Sequence, residues 1–228
     1  MTRPARERPL RIVVLVSGRG SNLQAIVREI EAGRLDAKVA AVISDRADAA
    51  ALPWAGERGI PTAVLAPKSY SDREAYGGAL ADLVDSHAPD LLVMAGFMRI
   101  LSDGFVNRFR GRALNIHPSL LPRYPGLHTH RRALEAGDRV HGASVHFVTP
   151  ELDGGPVVLQ ASVPVLSGDD EDRLAARVLR QEHVIYPECI GWYADGRLEL
   201  RDGTPWLDGR ALATPIVRTQ ATQDSNAS

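Results

Sequence analysis

Residues 11–22 read Arg-Ile-Val-Val-Leu-Val-Ser-Gly-Arg-Gly-Ser-Asn, and this run decides the fold. Ile12, Val13, Val14, Leu15 and Val16 are apolar without a polar alternation, the pattern of a strand buried on both faces. After the glycine-rich turn, Leu23, Ile26, Val27 and Ile30 recur at helical spacing. A doubly buried strand that turns directly into an amphipathic helix is the opening unit of a parallel sheet.

The same alternation continues outward. Residues 39–43 predict a second strand, 47–58 a second helix stopped by Gly59, and 61–65 a third strand. Ser71-Asp72-Arg73-Glu74 has the form of a capping box opening a helix to about His87. Residues 91–94 and 113–116 predict two more buried strands. The pattern then changes. Residues 143–147 and 157–163 predict strands around a turn-rich loop, hence antiparallel additions. A long helix follows from 169 to about 189, with Asp169, Asp170 and Glu171 at its positive end. Residues 198–206 predict a small terminal hairpin. The expectation is an open, mostly parallel, Rossmann-like (doubly wound) α/β sheet with antiparallel additions in the C-terminal half. It is one domain over 10–206, with loose tails at 1–9 and 219–228.

Composition narrows the function classes. With 27 Lys+Arg against 28 Asp+Glu the net charge is -1, which leaves no basic footprint for nucleic acid or an anionic membrane. A single cysteine, Cys189, excludes an internal disulfide and fits a reducing, cytoplasmic compartment. No secretory signal opens the chain, and the apolar run at 12–16 is far too short to span a bilayer.

The loop Ser17-Gly18-Arg19-Gly20-Ser21-Asn22 joins the first strand to the first helix. Its glycines admit a ligand close to the backbone, and the helix N-terminus offers free amides, so phosphate is its natural guest. Leu23 stands where a dinucleotide fingerprint needs its third glycine, and there is no Walker lysine. A phosphate monoester therefore fits better than a dinucleotide or triphosphate. Glycine in such a turn also serves purely local geometry.

Asn115 and His117 stand two apart on one predicted strand, so both side chains leave the same face. Pro118 holds His117 extended. An amide and an imidazole side by side can donate to a developing oxyanion; a polar strand end that satisfies a loop is the alternative. Asp153, in Leu152-Asp153-Gly154-Gly155-Pro156, reads either as a turn residue or as the carboxylate that keeps His117 protonated.

Ser17 to Gln24, the run Ala95-Gly96-Phe97-Met98-Arg99-Ile100-Leu101, the run Asn115 to Pro122, and Leu152 to Pro156 together resemble the folate-dependent formyltransferase family. Ser17–Asn22 and the run Tyr124 to His130 narrow the likeness to its glycinamide ribonucleotide branch. The resemblance implies transfer of the formyl group of 10-formyltetrahydrofolate to the amine of glycinamide ribonucleotide. Formylglycinamide ribonucleotide and tetrahydrofolate result, within de novo purine (IMP) biosynthesis. It implies Asn115, His117 and Asp153 as catalytic residues, and Gly20, Ser21, Asn22 and Glu182 for the ribonucleotide. For the folate it implies Arg73, Met98, Arg99, Ile100, Leu101, Asn115, Thr149 and Asp153. Met98, Ile100 and Leu101 read equally well as core, and Arg73 is a cation in a first helical turn, against the dipole. The folate is a co-substrate, no metal is implied, and a homodimer is left open.

Other readings need features that differ. His128 with His130, or His141 with His146, could be drawn as metal ligands, but no Cys pair or His-Glu-x-x-His pattern supports them. A formyltetrahydrofolate hydrolase would carry a regulatory domain before Leu10, and a tRNA formyltransferase a further domain after Trp206. A non-catalytic nucleotide-binding module would need the phosphate loop but not Asn115, His117 and Asp153 together.

Overall fold

The computed structural model describes residues 8–219. Residues 1–7 and 220–228 lie outside the described residues, and with them most of the two expected tails. Arg8, within the expected first tail, pairs with Asp90 at 2.8 Å.

Eight strands make one sheet. In chain order they are β1 (Leu10–Val16), β2 (Ala37–Ser44), β3 (Thr62–Val64), β4 (Leu91–Met94), β5 (Ala113–His117), β6 (Val140–Phe147), β7 (Val157–Pro164) and β11 (Ile216–Thr219). Their order across the sheet is β11-β7-β6-β5-β4-β1-β2-β3. Every pairing is parallel except those of β6, which runs against both β5 and β7. The chain goes from β1 outward to β2 and β3, then returns to β4 on the other side of β1. The crevice outside the carboxyl ends of β1 and β4 is thus a topological switch point, where open α/β sheets hold ligands.

Helices α1 (Ser21–Glu31), α2 (Ala51–Gly56) and α6 (Glu171–Ala194) cover one face, while α3 (Arg73–Ser86) and α4 (Asp103–Arg108) cover the other. The doubly buried reading of the first strand holds in detail: Ile12, Val14 and Val16 join the first core, Val13 and Leu15 the second. Helix α5 (Thr129–Glu135) packs on α6. Beyond β4 the second face changes character. On β5 to β7, Leu114, Ile116, Ala143, Val145, Leu159 and Ala161 belong to the first core. Alternation then turns Asn115, His117, Ser144, His146 and Gln160 to the opposite face.

Several boundaries differ from expectation. Asp72, not Ser71, caps α3, accepting from the Ala75 amide at 2.8 Å, so Arg73 is the first helical residue and is solvent-exposed. Exposure disposes of the apparent conflict with the dipole. Helix α2 begins only at Ala51, because residues 47–50 are taken up by a turn. Helix α6 starts at Glu171 behind an Asp170 cap and continues through Pro187 to Ala194, carried by buried Ile185, Tyr186, Cys189, Ile190 and Tyr193. The expected hairpin exists as β8 (Leu198–Arg201) and β9 (Thr204–Leu207), extended by β10 (Arg210–Ala211). The chain then returns to the main sheet, where β11 pairs with β7 through Ile216↔Leu159. The folded region therefore runs past 206, to a strand too short and too polar to stand out in the sequence. Among the described residues no helix is long and apolar enough to cross a membrane.

Candidate active site

The glycine loop after β1 is built as the sequence suggested. Gly20 has φ +72°, and a Cβ there would stand 2.6 Å from the Ala51 side chain, so only glycine fits. No side chain caps the first turn of α1, which leaves its leading amides free for an anion. Gly20, Ser21, Asn22 and Glu182 line one cavity of about 450 Å³ with Arg19, Arg46, Met98 and Arg99. Arg46 is engaged by Asp48 at 2.8 Å; Arg19 has no partner among the described residues and is the cation at hand for a phosphate. Glu182 reaches the loop from α6 and accepts from Asn22 Nδ2 at 2.7 Å. Burial, at 7% exposure, pushes the Glu182 carboxyl above the usual carboxylate range, and the Asn22 bond only partly opposes it. Asn22 Oδ1 is buried without a partner among the described residues.

Asn115 and His117 lie on the polar face of β5, as their spacing required. The antiparallel register sets Asn115 opposite His146. His146 Nδ1 faces the Phe147 carbonyl at 3.0 Å, so that nitrogen carries the proton and Nε2 is left as an acceptor. Asn115 Nδ2 sits 3.1 Å from this Nε2 and donates to it. Burial depresses the His146 pKa and keeps the ring neutral, which preserves the arrangement. The amide of Asn115 is thereby oriented and keeps a second N–H for another acceptor.

His117 has an acceptor at each ring nitrogen. Nε2 donates to the Tyr124 carbonyl at 2.9 Å, and Nδ1 stands 3.4 Å from Asp153 Oδ2. Each ring nitrogen thus has an oxygen within reach. Asp153 sits in the left-handed region, φ +51°, and its Oδ2 also accepts from the Gly126 amide at 2.8 Å. The expected pairing of His117 with Asp153 is therefore present. The expected open donor is not, because Tyr124 O occupies Nε2.

The folate candidates divide between two adjoining cavities. Arg99, Ile100, Leu101, Asn115, Thr149 and Asp153 line a small one of about 60 Å³ beside His146 and Leu152. Arg73, Met98, Arg99 and Ile100 line one of about 470 Å³ with Tyr70 and Tyr76. Met98 and Ile100 are 67% and 60% exposed, so the core reading fails for them, while Leu101 is buried in the second core. Leu152, 54% exposed, faces the small cavity from the other side. Open apolar side chains across a cleft suit a flat, apolar ligand.

One group had no signal in the sequence. Asp45, 4% exposed, follows β2 and accepts from Ser17 Oγ at 2.6 Å and from Arg99 Nε at 2.6 Å. Ser17 Oγ in turn accepts from the Met98 amide at 2.8 Å. Tyr76 lies beside this cluster, its phenol pushed up to about 12 first by burial and then by the Asp45 charge. His146 did leave a trace, since Ala143-Ser144-Val145-His146-Phe147 alternates apolar and polar as a one-faced strand does. Two further histidines pack on one another: the His130 and His141 rings meet edge to face at 5.2 Å. Among the described residues no three His, Cys, Asp or Glu side chains converge as metal ligands would.

Comparison with known proteins agrees with this geometry. Residues 10–190 match the formyl transferase family. The chain is 57% identical over 203 residues to the phosphoribosylglycinamide formyltransferase of Escherichia coli (strain K12), covering 89% of this chain and 96% of that one. It is 49% identical over 202 residues to the same enzyme of Haemophilus influenzae, covering 89% and 95%. The solved phosphoribosylglycinamide formyltransferase of Coxiella burnetii superposes with a TM-score of 0.89 at 46% identity, over 92% of this chain and all of that one.

Proposed function

The chain belongs to the formyl transferase family, and from this premise we propose that it is a phosphoribosylglycinamide formyltransferase. It moves the formyl group of 10-formyltetrahydrofolate to the amine of glycinamide ribonucleotide, in purine biosynthesis. The observation that carries this reading is the position of the Asn115–His117–Asp153 cluster. Asn115 and Asp153 line a cavity that shares Arg99 with the cavity of the anion-ready loop and with the open apolar cleft.

In this reading the ribonucleotide phosphate takes the amides of Gly20, Ser21 and Asn22, and Glu182 meets the ribose hydroxyls. The folate lies against Met98, Arg99, Ile100 and Leu101, with Thr149 and Asp153 closing the inner end and Arg73 near its outer end. The substrate nitrogen attacks the formyl carbon, and a tetrahedral oxyanion forms. Asn115 gives it the N–H that His146 leaves free, and His117 gives the Nε2 proton once the Tyr124 carbonyl withdraws. The carbon–N10 bond then breaks. The proton lost by the attacking amine passes to N10, with Asp153 assisting through water. The chain's own groups supply every step, and no covalent enzyme intermediate or metal is required.

The domain would run from Leu10 through β11, and the lone buried thiol of Cys189 suits the cytoplasm. The test is the absorbance change on release of tetrahydrofolate, with and without glycinamide ribonucleotide. Release that depends strictly on the amine supports the transferase. Release without it makes the protein a hydrolase, and no release at all leaves a binding module.

A further inference from the structure

Three loops leave the carboxyl ends of β1, β2 and β4, and all three meet at one carboxylate. Ser17 heads the phosphate loop, Met98 and Arg99 belong to the folate loop, and Asp45 stands between them on the loop after β2. We infer that Asp45 is a positioning residue for the transfer, the buried carboxylate that helps hold the two substrate loops in register.

The geometry is specific. Asp45 uses one oxygen for Ser17 and the other for Arg99, so neither loop can shift without breaking a 2.6 Å contact. Ser17 passes the constraint on, because the hydroxyl that donates to Asp45 also accepts from the Met98 amide. Arg99 is held only through Nε, and its two terminal nitrogens have no partner among the described residues. Its side chain lines the phosphate cavity and both folate cavities, forming the wall between them. Holding that wall calls for a charge. A buried carboxylate makes the short, charge-assisted contact that fixes a long flexible guanidinium. A neutral amide in its place would have one acceptor oxygen instead of two and would lose the charge assistance to the guanidinium.

Register matters because the amine bound on one loop must come within about 3–3.5 Å of a formyl carbon bound on the other, and a shift of about 1 Å costs on the order of a hundredfold in rate. The consequence is a division between turnover and binding. This inference rests on the transferase reading above, and the experiment separates the two. Asp45→Asn, Arg99→Met and the double variant are compared with wild type. Each is assayed for kcat with both substrates saturating, and for the Kd and stoichiometry of each substrate alone by calorimetry.

Asp45→Asn is expected to lower kcat about tenfold or more, with each Kd within about threefold of wild type and full stoichiometry. The double variant should turn over no more slowly than Arg99→Met, because the effect of Asp45 passes through Arg99. An unchanged kcat overturns the inference. So does a loss of turnover matched by a loss of binding stoichiometry, which would mark Asp45 as a folding residue. Multiplying losses in the double variant overturn it too. A wild-type protein that does not formylate the ribonucleotide overturns the transferase reading instead, and this one with it.

Discussion

Glu182→Gln should make the protein more stable and a poorer enzyme. The wild-type carboxylate is buried at 7% exposure, and among the described residues its one close polar contact is the neutral Asn22 side chain at 2.7 Å. Burial raises its pKa above the ordinary value of 4.5. A carboxyl raised in the folded state contributes stability that is present below the unfolded value and lost as pH rises through the folded one. At neutral pH the wild type therefore bears the cost of a poorly compensated charge. Glutamine keeps the shape and the acceptor, and its new N–H₂ can meet Asn22 Oδ1, which is buried without a partner among the described residues. Removing the charge and satisfying that oxygen should together add about 1–3 kcal/mol at neutral pH. For a domain of this size each kcal/mol raises Tm by roughly 2–4 °C. The loss appears at the ribose, where a charged hydrogen bond worth about 1.5–3 kcal/mol becomes a neutral one. KM for glycinamide ribonucleotide should rise about five- to tenfold, with little change in kcat. Thermal melts at about pH 5 and about pH 8, with steady-state kinetics on the same samples, test both halves. The reasoning fails if the variant melts below wild type near neutrality. It fails equally if the Tm gap does not widen from the lower pH to the higher.

Other substitutions follow from the same geometry. Asn115→Ala and His117→Ala should each lower kcat by about a hundred- to a thousandfold while the far-ultraviolet circular dichroism stays unchanged; near wild-type turnover in either would remove that residue from the mechanism. His141 is held neutral by burial, its pKa brought from 6.5 down to about 4. A depressed base contributes stability present above its unfolded value and lost as pH falls through the folded one, so His141→Gln should flatten the acid side of the stability curve between these values. An unaltered acid limb would show that His141 is not its source. Gly20→Ala forces a Cβ against Ala51 at a positive φ, and should cost about 1–3 kcal/mol and weaken phosphate competition together. A variant with unaltered melting and phosphate affinity would contradict the placement of that loop.

How much of this could be read beforehand depended on range. Local signals succeeded: the doubly buried pattern of residues 12–16 and the two-residue spacing of Asn115 and His117 are properties of one strand, and the structure keeps them. The capping-box reading at Ser71 went astray because Asp72, one residue on, competes for the same amides and wins. What stayed hidden depends on distant pairing. Asp45 sits in a stretch, Ser-Asp-Arg-Ala-Asp, that looks like an ordinary polar turn. Its role exists only because β2 and β4 flank β1. His146 becomes the orienting partner of Asn115 through an antiparallel register that no single segment announces. The Tyr124 carbonyl on His117 is a loop contact, set by a chain reversal at positive φ.

The last described strand, β11, bears on how the molecule is made. It completes the sheet by lying parallel to β7, with all of α6 and the small second sheet intervening in the chain. During synthesis at about 5–20 residues per second, the β7 backbone emerges several seconds before the segment that seals it. Throughout that interval the nascent chain presents a bare row of amides and carbonyls, open to any neighbouring polypeptide. Until β11 docks, β7 is the outer strand on that side of the sheet, and its unpaired edge can template pairing with another chain.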